Sequence, residues 1–160
     1  MIEWIEKAST LEGCFVEIGL GIGNTTKILL EYAGDKEVIG VDPFEEANAP
    51  RSYTIPYSYD KFKANVGEHD NLKIVKENSL SKEAFDILKS KEIALAFIDG
   101  LQYFGAVLSD LNMVSHAKII ILDDFNRRSG VSQVPDAVEY FLKTNNYKLI
   151  NLERWAILTR

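Results

Sequence analysis

The chain has 160 residues, enough for one domain with a real core, and 46% of them are hydrophobic, which excludes a disordered chain. Its 18 basic residues against 24 acidic ones leave a net charge of −6, which argues against a broad electrostatic footprint for nucleic acid or anionic membrane. The single cysteine, Cys14, excludes an internal disulfide, and no apolar run nears the roughly 20 residues of a membrane span.

The first residues, Met1-Ile2-Glu3-Trp4-Ile5-Glu6, are acidic and amphipathic, unlike a signal peptide, so the expected compartment is the cytoplasm. Residues 2–9 read as a short helix with Ile2, Ile5 and Trp4 facing inward. Phe15 to Ile18 is a short apolar run, interrupted by Glu17, and reads as a buried strand. Glycines then alternate at Gly19, Gly21 and Gly23, a loop able to take φ > 0 and to let a ligand touch the backbone. Apolar residues at helical spacing follow, with Asn24 as the expected N-cap and Gly34 as the stop. The result is strand, glycine turn and helix, with the unpaired N–H groups of the helix N-terminus facing whatever sits on the loop. Val38 to Asp42 is a second buried strand ending in an acid. An acid there can accept hydrogen bonds from both hydroxyls of a ribose, so the ligand is expected to carry one.

The stretch from Pro43 to Pro56 holds three of the four prolines and reads as a long loop at the ligand-binding end, a lid or a surface excursion. Tyr53, Tyr57 and Tyr59 are spaced to line a pocket. A helix is expected over residues 57–66, a third strand over 72–75, and a helix over 83–88. A fourth strand, 93–98, is apolar on both faces and ends at Asp99. A helix follows over 104–114, then a fifth strand, 118–122, ending at Asp123 and Asp124. A helix opening near Pro135 precedes two final strands, 147–152 and 155–158, joined by Glu153-Arg154, a hairpin-length connection without the usual Gly or Asn. Five strand–helix units and a hairpin predict one α/β domain over residues 1–160. Its core would be a doubly wound, mostly parallel seven-stranded sheet with a C-terminal antiparallel pair. His69 and His116 read as structural, and Cys14 as a buried thiol.

The dinucleotide fingerprint needs a glycine where Asn24 stands. With G-x-G-x-G at 19 to 23, Glu17 two residues before it, and Asp42, the pattern instead resembles the class I S-adenosylmethionine-dependent methyltransferases. That resemblance implies S-adenosylmethionine as cofactor, held by Glu17, Gly19, Gly21, Gly23, Asp42 and Asp99, with Asn78 facing the adenine where the family more often has Asp. The run from Asp99 to Leu111 also resembles the D-G-x-H-x-Y-x-x-V-x-x-D-L signature of a small-molecule O-methyltransferase family that includes cephalosporin hydroxylase-like chains. In its metal-dependent members an acid after strand four and a pair after strand five hold Mg²⁺, and Asp99, Asp123 and Asp124 match those positions. Two departures stand out: Gln102 replaces the signature His and Phe104 the signature Tyr.

Five carboxylates at strand ends would repel each other without cations, and a sulfonium or a hard divalent metal answers that. The expected reaction is methyl transfer to a small-molecule hydroxyl, with Asp99 or Asp124 as base or a metal lowering the hydroxyl pKa. A homodimer completing the site is expected from the short N-terminal segment. The alternatives are an inactive nucleoside-binding protein, favoured by Gln102 and Phe104, and a nicotinamide oxidoreductase.

Overall fold

The computed structural model describes residues 1–44, 58–125 and 132–160. The expected lid, with Tyr53 and Tyr57, therefore lies largely outside the described residues. In chain order the elements are α1 (Ile2–Ser9), β1 (Cys14–Ile18), α2 (Asn24–Ala33), β2 (Val38–Val41), α3 (Tyr59–Val66), β3 (Leu72–Val75), α4 (Lys82–Lys89), β4 (Ile93–Ile98), α5 (Phe104–Met113), β5 (Ile119–Leu122), α6 (Val134–Leu142), β6 (Lys148–Leu152) and β7 (Trp155–Thr159). The strands form one sheet in the order β3-β2-β1-β4-β5-β7-β6. All neighbours are parallel except β7, which runs antiparallel to both β5 and β6. The predicted doubly wound sheet with its closing antiparallel pair is the observed one.

Alternation along the strands divides the core between two faces. Val16, Ile18, Ile39, Ala96 and Ile98 pack against α4, α5 and α6. Phe15, Val38, Leu95, Phe97 and Ile121 pack against α1, α2 and α3. Every residue of β4 is buried, as its two-sided apolar sequence requires. Complete burial of a side chain such as Phe97 contributes roughly 1.5–3 kcal/mol. Helix ends follow local chemistry. The Ser81 hydroxyl accepts the Ala84 N–H at 3.1 Å to start α4, and Ser58 accepts from Lys61 at 3.4 Å to start α3.

Two expectations need correction. Asn24 is the first residue of α2 rather than its cap. Gly23 holds the cap position at φ 88, and the Asn24 side chain instead accepts a hydrogen bond from Asn65 at 3.2 Å. In α1, Ile5 and Ala8 are buried but Ile2 is 37% exposed, because the helix turns that residue off the sheet.

The order of strands reverses between β1 and β4. Crossovers leave in opposite directions on either side of that point, and the crevice beyond the strand ends there is where open α/β sheets take ligands.

Candidate active site

The glycine loop after β1 is held by backbone. Gly19 donates its N–H to Val41 at 3.0 Å, and Asp99 donates its own to Ile18 at 2.8 Å. A Cβ on Gly19, at φ 85, would lie 2.6 Å from the Asp99 carbonyl carbon and 2.7 Å from the Gly100 Cα. This glycine therefore lets two loops of the protein touch. Gly23 is set against Val66 and Phe62 of α3. Gly21, at φ 53, is different: a Cβ there would meet nothing within 4 Å among the described residues. Of the three, Gly21 is the one that faces open space at the N-terminus of α2, where unpaired N–H groups collect.

Asp42 closes β2 and is 2% exposed. Its Oδ2 accepts the Leu20 N–H at 2.8 Å and its Oδ1 the Phe44 N–H at 2.7 Å. The carboxylate is thus fixed against the glycine loop by main-chain N–H groups. Phe44 takes φ 53 to make this turn, and its ring packs edge-on against Tyr59 and Phe62.

Glu17 is 1% exposed and accepts the Thr26 hydroxyl at 2.6 Å. Burial raises its pKa to about 8; the Thr26 bond opposes this, and the charges of Asp99 and Asp42 add to it. Burial thus favours its neutral form, and its hydrogen bond runs to Thr26 of α2. Asn78 is exposed, and its Oδ1 accepts the Leu80 N–H at 2.9 Å in a tight turn before α4.

The second half of the site lies beyond β4 and β5. Asp123 is 7% exposed, and the Arg154 guanidinium grips it with two nitrogens, Nη2 donating to Oδ2 at 2.6 Å and Nε to Oδ1. Its Oδ1 also accepts the Asp124 N–H at 2.7 Å. Asp124 takes φ 52, and its Oδ2 accepts from Gln102 Nε2. Asp99 opens toward solvent, and its carboxylate has no hydrogen-bond partner among the described residues. Partial burial of the carboxyl raises its pKa to about 7. Asp123 and Asp124 add to the rise and Arg154 opposes it. A small cavity of about 10 Å³, lined by Asp99, Gln102, Asp123 and Val134 among others, lies between these groups. A wider concavity of about 570 Å³, lined by Gly34, Asp35, Glu37 and Asn71 among others, opens at the opposite end of the sheet, away from the glycine loop.

Sequence reasoning missed three residues that shape this corner. Gln133 donates its N–H to the Gln102 carbonyl at 3.1 Å and accepts the Phe104 N–H at 2.7 Å, clamping the loop after β4 to α6. Arg154 reaches in from the β6–β7 turn. Asp110 of α5 is buried, and neither of its oxygens has a hydrogen-bond partner among the described residues. Burial raises its pKa to about 7, Ser79 being near enough to oppose that. The departure of Gln102 from the signature was the one signal for the first two, since a changed side chain implies changed neighbours. Among the described residues no group of three His, Cys, Asp or Glu side chains is arranged to hold a metal ion. His69 and His116 bind the carbonyls of Val66 and Lys91, at 3.1 and 3.0 Å, away from the strand ends.

A family model described as a methyltransferase domain matches residues 16–124, from the middle of β1 to the acid pair after β5. The chain belongs to this family. The methyltransferase domain also resembles solved structures at low identity. The O-methyltransferase NovP is 16% identical, with a TM-score of 0.69 over 99% of this chain and 78% of NovP. Cofactor-bound Rv0187 from MTB gives 16%, 0.69, 99% and 78%. The methyltransferase MycE from the mycinamycin pathway, solved with Mg and SAH, gives 10%, 0.70, 99% and 47%. At these identities the likeness speaks for the fold. No curated protein matches the chain. No helix among the described residues is long and apolar enough to cross a membrane.

Proposed function

We propose that this methyltransferase uses S-adenosylmethionine and methylates a hydroxyl oxygen of a small molecule. The observation that carries the reading is the pairing of Gly21 with Asp42 at the switch point of the sheet: an open backbone cradle beside a carboxylate already oriented by two N–H groups. That pair fits a nucleoside cofactor, the cradle for its chain and Asp42 for its ribose hydroxyls. Gly19 and Gly23 shape the cradle, Glu17 props it through Thr26, and Asn78 is the proposed partner of the adenine edge. The bound cofactors in the Rv0187 and MycE structures support the same reading.

When bound, the cofactor supplies a methyl group activated on a sulfonium. Asp99 is the proposed base. Among the described residues it is the acid of the far corner without a hydrogen-bond partner, and a pKa raised toward neutrality lets it be deprotonated in part while still driving proton transfer. It would take the proton from the acceptor hydroxyl as the oxygen attacks. Asp124, held by Gln102, is a second candidate. The rest of the work is alignment, which can be worth ~7–11 kcal/mol when geometry is right.

Mg²⁺ is the metal that the signature's resemblance implies. Asp99, Asp123 and Asp124 are ligands of the right chemistry, and the MycE structure contains Mg. In this chain, however, Arg154 takes both oxygens of Asp123 and Gln102 takes one of Asp124, so the arrangement does not fit a metal as it stands.

The proposal includes a homodimer, a cytoplasmic setting and an acceptor that is not nucleic acid, the last supported by the net charge of −6. The deciding test is calorimetric titration with S-adenosylhomocysteine, followed by a screen of hydroxyl acceptors. Absence of binding would sink the central claim. Binding without turnover on any acceptor would favour the second reading, a binder without activity, to which Gln102 and Phe104 point.

A further inference from the structure

Asp99, Asp123 and Asp124 crowd the ends of two adjacent strands, and such a set calls for compensating positive charge. The chain supplies that charge itself. Arg154 presents its guanidinium edge to both oxygens of Asp123, the fork geometry that makes arginine a strong partner for a carboxylate. Its charge acts on all three acids: the bond to Asp123 raises the guanidinium pKa above its usual value, with Asp124 and Asp99 adding. Gln102 supplies a further donor to Asp124 at the position where the resembled signature carries a His.

The arginine is also placed by its own backbone. Its carbonyl accepts the Phe125 N–H at 2.8 Å, which ties the β6–β7 turn to the segment leaving β5. On each side of this tie a non-glycine residue holds left-handed backbone, Asp124 at φ 52 and Glu153 at φ 55. Such conformations persist where the surroundings over-determine them.

We propose that Arg154, helped by Gln102, stands in for a divalent cation, so that the acid corner works without a metal. This rests on reading that corner as the catalytic one. Arg154 is then a positioning residue: it balances the charge of Asp123 and Asp124 and leaves Asp99 as the free carboxylate.

The test is titration of the purified full chain with Mn²⁺ alone, following the free-ion signal by electron paramagnetic resonance. The wild type is expected to leave that signal unchanged into the millimolar range. Arg154→Ala is expected to bind Mn²⁺ at least tenfold more tightly than the wild type, and adding Asp123→Asn should abolish the gain. Binding of Mn²⁺ by the wild type overturns the proposal, whatever the variants do. So does an Arg154→Ala chain that folds and still binds no Mn²⁺, because Arg154 would then not be what fills the cation's place. If that variant fails to fold, Arg154→Gln, which keeps most of the side-chain stem, is read the same way. Titration with S-adenosylhomocysteine is run on the same wild-type preparation. Its failure would count against the methyltransferase mechanism and leave the metal result standing.

Discussion

The two corners of the site are built on different principles. The corner around the glycine loop is a backbone construction. Gly19 lies against the Asp99–Gly100 backbone, and Asp42 is held by two main-chain N–H groups. The acid corner is a side-chain construction, in which Arg154, Gln102 and Gln133 arrive from a turn, a loop and the entry to a helix. A backbone corner is rigid and tolerates little change in shape. A side-chain corner can change its chemistry by single substitutions while the sheet beneath stays the same.

A pH scan strikes both corners at once and has the largest expected effect. Glu17 is raised from 4.5 to about 8 and Asp110 from 3.8 to about 7. Their folded-state values lie above the unfolded ones, so their contribution to stability is fully present below about pH 4 and is lost as pH rises through 7 to 8. Denaturant midpoints should therefore fall across that window. Glu17→Gln should flatten the fall, and parallel curves for variant and wild type would mean that Glu17 is not neutral at pH 7.

Next comes Gly19→Ala. Left-handed strain of roughly 1–2 kcal/mol and overpacking of roughly 1–3 kcal/mol predict a loss of about 3 kcal/mol in urea unfolding. Gly21→Ala should cost only about 1 kcal/mol of stability, from strain alone, yet weaken S-adenosylhomocysteine binding. Equal losses of stability at the two glycines would erase the distinction between a glycine that admits protein and one that admits ligand.

Asp42→Ala should weaken the same ligand by at least about 100-fold, since charge-assisted hydrogen bonds are worth roughly 1.5–3 kcal/mol each. Unchanged affinity in calorimetry would refute the ribose assignment. The smallest effect is expected at Arg154→Ala. It leaves Asp123 without its charge partner, but the arginine is 54% exposed and water replaces part of the interaction. A thermal-melt loss of about 1–2 kcal/mol is expected, well below the roughly 3–5 kcal/mol of a fully buried pair.

The same division explains what could be read from the sequence. The strands, their order of appearance and the acids at their ends were legible because hydrophobic runs and terminal carboxylates are local features. Asp42 and the glycine loop follow from a pattern confined to β1, α2 and β2. Even there the reasons differed: Asn24 carried the usual N-cap chemistry, yet Gly23 took the position because α3 packs so closely on it. The acid corner was legible only as a set of residues. Nothing near Asp123 in the chain announces Arg154, and Glu153-Arg154 lacks the turn residues that would have drawn attention to it. The Gln102 departure hinted at changed neighbours without pointing to Gln133, whose role is to join two segments that meet only in the folded sheet.

The tie between Phe125 and the Arg154 carbonyl has a consequence for how the protein is made. Chains emerge from the ribosome N-terminus first. Once Asp99 and Gly100 have appeared, β1, β2 and β4 can assemble, and the corner that grips Asp42 can close around them. The acid corner must wait for Arg154, and β5 keeps a bare edge until β7 inserts beside it. Through that interval Asp123 lacks the guanidinium that grips both its oxygens in the folded chain. The last strands to pair therefore complete both the sheet and the charge balance of the acid corner.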